Sequence, residues 1–198
     1  MTDTRKNIVD AGLQLFFRYG VKRTTMNDLA VQAEISRPTL YSVFSSKEDV
    51  ARAVIQAIAD RNIAATEAEL PTVQGLSNKL DVAFKHSQVA LYKLIRSSPH
   101  ADDVLSGFNA AAKEEIAKGN ERFRALVENL LTTHESEVRS VGISHKKLAD
   151  FIQNSASGYK NRAKNMAHLK ELLDSLKALV LSSEGHDASS GARPHRVQ

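Results

Sequence analysis

The chain has 198 residues, 42% of them hydrophobic, with 4 Pro, 9 Gly and no Cys. That is enough apolar material to bury a core, and the scarcity of Gly and Pro leans towards helix. The missing thiols exclude disulfides, thiolate metal sites and cysteine nucleophiles, while a net charge of +4 permits a polyanionic partner without requiring one.

No apolar run follows Met1-Thr2-Asp3-Thr4-Arg5-Lys6 and none elsewhere is long enough to cross a bilayer. Neither a secretory leader nor a membrane span is expected, and the cytoplasm is the expected compartment. Residues 4–19 carry Ile8, Ala11, Leu15 and Phe16 on one helical face, and Gly20 follows where a helix end wants positive φ. Thr25 and Asp28 form a capping box for a second helix with Leu29, Ala30 and Ala33 inward. Ser36 caps a third over 37–43, with Pro38 in its first turn and Leu40 and Phe44 inward. Ser45-Ser46-Lys47-Glu48-Asp49 opens a long helix, Val50, Ala53, Val54, Ala57 and Ile58 inside, reaching about residue 70.

After the break at 71–75, helix resumes over about 76–97, with Leu80, Phe84, Leu91 and Leu94 on one face. A short helix is expected over 100–106, interrupted at Gly107, then a longer one carrying Phe108, Ala112, Ile116, Phe123, Leu126, Leu130 and Leu131. Gly142 and Ser144 set off two last helices, about 145–159 and 165–181. No stretch alternates with period two, so no sheet is expected. The reading is all-α: a three-helix DNA-binding domain over 1–49, a connecting helix over about 46–70 and a helical effector and dimerisation domain over 71–182. A polar tail over 183–198 is expected to be disordered.

Two short helices joined by about three residues, the second entered by a capping serine, make a helix-turn-helix. Gly20-Val21, Thr24-Thr25-Met26, Leu29-Ala30 and Ala33, then Ile35-Ser36, Thr39-Leu40-Tyr41, Phe44 and Lys47-Glu48 resemble the signature of the TetR family of bacterial transcriptional regulators. The resemblance spans about the first quarter of the chain and departs from the family at Glu34 and Pro38, where Gly or a small residue is usual. Glu34 falls on a turn position that often takes positive φ, at a cost of about 1 kcal/mol for a residue with a side chain.

The resemblance implies a sequence-specific repressor, a homodimer on double-stranded operator DNA released by a small-molecule effector, with no cofactor and no catalysis. The alternative is a helical protein-interaction module of the same fold that does not bind DNA. Arg37 and Thr39, on the outward early part of the third helix, are the candidates for base contact; Arg suits guanine and the Thr methyl suits thymine. Thr25, Ser36, Pro38, Tyr41, Ser42 and Lys47 complete the expected interface, with Tyr41, Ser42, Lys47 and the amides after Thr25 directed to phosphate or sugar.

The same resemblance assigns a subunit interface to the last two helices, with Phe151, Ser155, Gly158, Leu169, Leu172, Leu173 and Leu176 as its candidates. It also assigns an effector cavity to Phe84, Ser87, Leu91, Phe108, Phe123, Val127 and Phe151, whose aromatics point to a mostly apolar ligand. Metal is not expected: His86, His100, His134, His145 and His168 include no i, i+4 pair. Asp102 and Asp103 are adjacent on a helix and point apart, so they read as first-turn acids rather than a catalytic pair.

Overall fold

Gly12 lets the first helix lie directly on the fourth: a Cβ there would stand 2.9 Å from Val50 Cγ1 and 3.1 Å from Val54 Cγ2. This crossing organises the N-terminal half in a computed structural model that describes residues 3–140 and 142–181. The helices are α1 Asp3–Tyr19, α2 Met26–Gln32, α3 Arg37–Val43, α4 Lys47–Glu69, α5 Gly75–Phe84, α6 Ala90–Arg96, α7 Ala101–Ala111, α8 Lys113–Thr133, α9 His145–Arg162 and α10 Met166–Val180. Among the described residues the only extended pairing is an isolated bridge between Val138 and Leu181. No helix among them is long and apolar enough to cross a membrane. The disorder expected for 183–198 lies outside the described residues.

Local sequence explains the starts. Thr25, Ser36, Ser46, Ser144 and Asn165 each cap a helix by accepting an amide hydrogen three residues on. Gly20 ends α1 at φ 89, with its N–H bonded to the Phe16 carbonyl at 2.9 Å.

Two cores share α4. The first holds Ile8, Phe16, Leu29, Leu40, Val50 and Val54, and is closed from the C-terminal half by Ile95, Val104 and Phe108. The second gathers Leu76, Leu80, Phe84, Phe123, Leu131 and Ile152 with Leu169, Leu173 and Leu176. α8 packs along α9, and α10 packs against α9 and α5.

Two expected boundaries differ. Gly107 does not interrupt its helix; α7 runs through it and the break falls at Ala112, where φ is −130. Gly107 is there for close packing, since a Cβ would lie 2.5 Å from Val21 Cβ. The helix expected over 76–97 contains a π-helical turn, Lys85–Val89, between α5 and α6. Its buried row Leu76, Leu80, Phe84, Gln88 and Tyr92 steps by four, which drifts about 40° per step around an α-helix. One wider turn brings the row back to the core.

Candidate nucleic-acid interface and ligand cavity

α3 is held from below by one residue. Leu40 is fully buried, while Arg37, Pro38, Thr39, Tyr41 and Ser42 are exposed. The turn that aims α3 is a Schellman motif: Ile35 N–H donates to Ala30 O at 3.0 Å and Glu34 N–H to Val31 O at 3.1 Å. Glu34 adopts φ 55, unique among the described non-glycine residues. Ser36 Oγ accepts Thr39 N–H at 3.2 Å and pairs with Thr39 Oγ1 at 2.8 Å, so the entry to α3 is fixed and Arg37 is left at its tip.

Hydrogen bonding separates the other expected contacts. Ser42 Oγ–H donates to Thr39 O at 2.8 Å, so its proton must leave that carbonyl before it can reach a phosphate. Thr25 is likewise engaged: its hydroxyl accepts Asp28 N–H and donates to Asp28 Oδ2. Asp28 Oδ2 also accepts Thr25 N–H at 2.9 Å, and that backbone bond, with the hydroxyl, holds its carboxyl below the ordinary carboxylate range. Tyr41 is 46% exposed and carries no such tie. Lys47 Nζ donates one bond to Lys22 O at 3.1 Å, leaving two ammonium protons available. Arg5 lies over the Phe44 ring at 4.4 Å.

The head is joined to the body at the turn after α1. Lys22 N–H donates to Asp103 Oδ2 at 3.4 Å, Arg23 Nη1 and His100 Nε2 are 3.4 Å apart, and Gly107 presses on Val21. Asp102 and Asp103 stand in the first turn of α7, and Asp103 serves this junction. Among the described residues no group of His, Cys, Asp and Glu could hold a metal ion.

Between α4, the π turn, α6, α8 and α9 lies a cavity of about 110 Å³, lined by Ile58, Asn62, Ile63, Thr66, Leu91, Ile116, Asn120 and Phe123 among others. Of the expected effector residues, Ser87, Leu91 and Phe123 line it. The others require correction. Phe108 belongs to the first core, its ring 5.8 Å from Phe16 and 5.7 Å from Phe17. Val127 is fully enclosed in the second core. Phe84 borders a separate open groove with Asp81, Lys85 and Lys170, and Phe151 faces outward, 50% exposed. The sequence reading had assigned none of the other eleven lining residues to a cavity, Gln88 and Lys160 among them. Both continue buried rows: Gln88 follows Leu80 and Phe84, and Lys160 follows Ile152 and Ala156, each in steps of four. A polar residue in such a row was the available signal.

The expected subunit interface also divides. Leu169, Leu173 and Leu176 are 0%, 4% and 1% exposed within one chain, so they fill its own core and are out of a partner's reach. Leu172, Ser155 and Gly158 are partly exposed. Phe151 on α9 and Leu179 on α10 are more exposed still, the latter at 59%.

Residues 8–54 match the family described as bacterial regulatory proteins, tetR family. The chain is 36% identical over 66 residues to the HTH-type transcriptional repressor ComR of Escherichia coli strain K12, a match covering 33% of this chain but only 31% of that relative. In fold it is similar to the fatty acid degradation regulator FadR of Bacillus halodurans, at TM-score 0.69 and 16% identity, covering 89% of this chain and 96% of that one. It is similar too to the regulatory protein TetR of Rhodobacter sphaeroides, at TM-score 0.68 and 15% identity, over 88% and 97% of the two chains.

Proposed function

We propose that this chain, whose residues 8–54 match the tetR family of bacterial regulatory proteins, is a member of that family and a homodimeric transcriptional repressor that reads an operator with α3 and lets go when a small molecule fills the cavity beside α4. The observation that carries this reading is the state of α3. It is capped by Ser36, anchored by buried Leu40, and leaves Arg37, Thr39 and Tyr41 exposed among the described residues.

Arg37 at the helix tip suits a guanine edge and the Thr39 methyl a thymine methyl. Tyr41 and the two unused protons of Lys47 suit phosphates on either side. Ser36 and Pro38 set the entry of α3, and Thr25 holds α2 through its capping box rather than by a free hydroxyl. Ser42 contributes only if its hydroxyl turns away from Thr39. The outer face of α9 and α10, around Phe151, Ser155, Gly158, Leu172 and Leu179, supports a two-fold interface that would present two α3 helices to successive turns of one duplex.

A gel shift with the DNA flanking the chain's own gene tests this. A discrete complex displaced by specific but not by scrambled competitor is expected. Binding to neither duplex would make the chain a helical interaction module instead.

A further inference from the structure

The cavity beside α4 is apolar over most of its wall, through Ile55, Ile58, Ile63, Leu91, Ile116 and Phe123, yet four of its polar side chains, Asn62, Gln88, Asn120 and Lys160, have no hydrogen bond to any described residue. Lys160, in the last turn of α9, lines it with no hydrogen bond or ion pair to any described residue. Among the described residues of the lining it alone is charged, and none is Asp or Glu. Gln88 is 5% exposed, and its carboxamide likewise has no partner among the described residues. It sits on the π turn, Lys85–Val89, the wide turn that brings this position inward. Burial pushes the Lys160 ammonium below its ordinary value, as expected of a cation taken from water without compensation.

Gln88 is buried and Lys160 partly so, and a cation drawn even partly out of water is stabilised by a counter-charge. An ammonium and a carboxamide N–H₂ carried by two residues that line one largely apolar cavity can together receive a single anionic head with two acceptor oxygens. One positive charge balances one negative charge. A dianionic phosphate would leave an uncompensated charge among isoleucines. The volume, about 110 Å³, limits the buried body of the ligand; an engineered apolar cavity of about 150 Å³ takes up benzene.

We infer that this cavity binds a small organic monocarboxylate, its carboxylate taken by Lys160 and Gln88 and its short apolar body lodged among Ile58, Ile63, Leu91 and Phe123. The inference rests on the reading of this cavity as the effector site.

Titration calorimetry on the full chain with hexanoate, benzoate, 1-hexanol and acetate tests it. Hexanoate or benzoate should bind at least tenfold more tightly than 1-hexanol, which lacks the charge, and than acetate, which lacks the body. Lys160→Met should remove that preference by weakening the two carboxylates tenfold or more while leaving 1-hexanol unchanged or improved. Lys160→Arg should retain most of the preference, and Gln88→Leu should lose part of it. Because Lys160→Met deletes an uncompensated cation, its melting temperature should equal or exceed that of the wild type; a lower one would mean that Lys160 serves the fold and would overturn the inference. So would equal binding of hexanoate and 1-hexanol, equal binding of acetate and hexanoate, or no binding of any carboxylate at millimolar concentration. Operator release is scored separately. A carboxylate that binds without releasing DNA leaves this site standing and sinks the effector reading, whereas release by neutral compounds alone does the reverse.

Discussion

Lys47 Nζ reaches 3.1 Å to the carbonyl oxygen of Lys22, tying the first turn of α4 to the loop that follows α1. The bond spends one of three ammonium protons and fixes where the other two stand. A lysine held this way has already lost much of its rotamer freedom, so a phosphate contact costs it little further ordering.

That geometry separates Lys47 from Arg37. Lys47→Ala should weaken binding to cognate and scrambled duplexes alike and make the slope of log affinity against log salt shallower by roughly one unit per dimer half. It should also cost about 0.5–1 kcal/mol of folding stability through the lost bond to Lys22. Arg37→Ala should leave the fold untouched and cost about 1–3 kcal/mol on the cognate duplex alone. Isotherms on both duplexes at several salt concentrations check this; equal losses on both for Arg37→Ala would make Arg37 a phosphate clamp.

The capping box of α2 gives the head an acid dependence. The folded Asp28 carboxyl is held low chiefly by the Thr25 N–H and then by its hydroxyl, so its contribution is complete above the ordinary carboxylate range and disappears as pH falls below that range, through the lowered folded value. Asp28→Asn should melt below the wild type at neutral pH, and the gap should close as pH drops below about 4. Thr25→Ala should cost about 1 kcal/mol. Parallel melting curves of the two variants decide the matter, and a gap that is constant with pH would remove Asp28 from the account.

The junction between head and body turns on Gly107. Gly107→Ala sets a methyl 2.5 Å from Val21 Cβ, and relieving it by moving α7 should cost about 1–3 kcal/mol. Adding Val21→Ala should not restore the loss, because the nearest obstructing atom is Val21 Cβ itself. Recovery to wild-type stability in the double variant, measured by urea unfolding, would show that the strain lies elsewhere.

Phe151 and Leu179 distinguish association from folding. Phe151→Glu with Leu179→Glu should leave a helical protein that sediments as a monomer, because both side chains are half or more exposed. Leu176→Glu should instead unfold the chain, since that residue is 1% exposed and the charge would be buried unpaired. A wild type that is monomeric at micromolar concentration would discard the interface altogether.

Much of this architecture could be read from residues alone, and the boundary of that reading has physical causes. Caps are local chemistry, so Thr25, Ser36 and Ser46 marked their helices within a residue. Positive φ at Glu34 was legible from the resemblance, which puts the residue where Gly is usual. Periodicity, in contrast, says which face is buried but not what covers it. Leu169, Leu173 and Leu176 make the same stripe whether a partner or α9 and α5 lie over it, and Phe108 fits a cavity wall as well as the contact with Phe16. A glycine in a helical stretch reads equally as a break or as room for a neighbour; at Gly107 only the position of Val21 decides. Gln88 and Lys160 were visible as polar residues in apolar rows, but their lack of partners is a three-dimensional fact.

The π turn at Lys85–Val89 makes this stretch of the chain a length adjuster. It holds one residue more than an α-helix needs while α5 and α6 keep their inward sides in line. Removing a single residue from it would let the ladder close into ordinary helix with both flanks in place, whereas the same deletion within α4 would swing everything beyond it by about 100°. What such a shortened chain would forfeit is the aim of Gln88, so a protein altered there would be expected to fold normally while the lining of the cavity beside α4 changes.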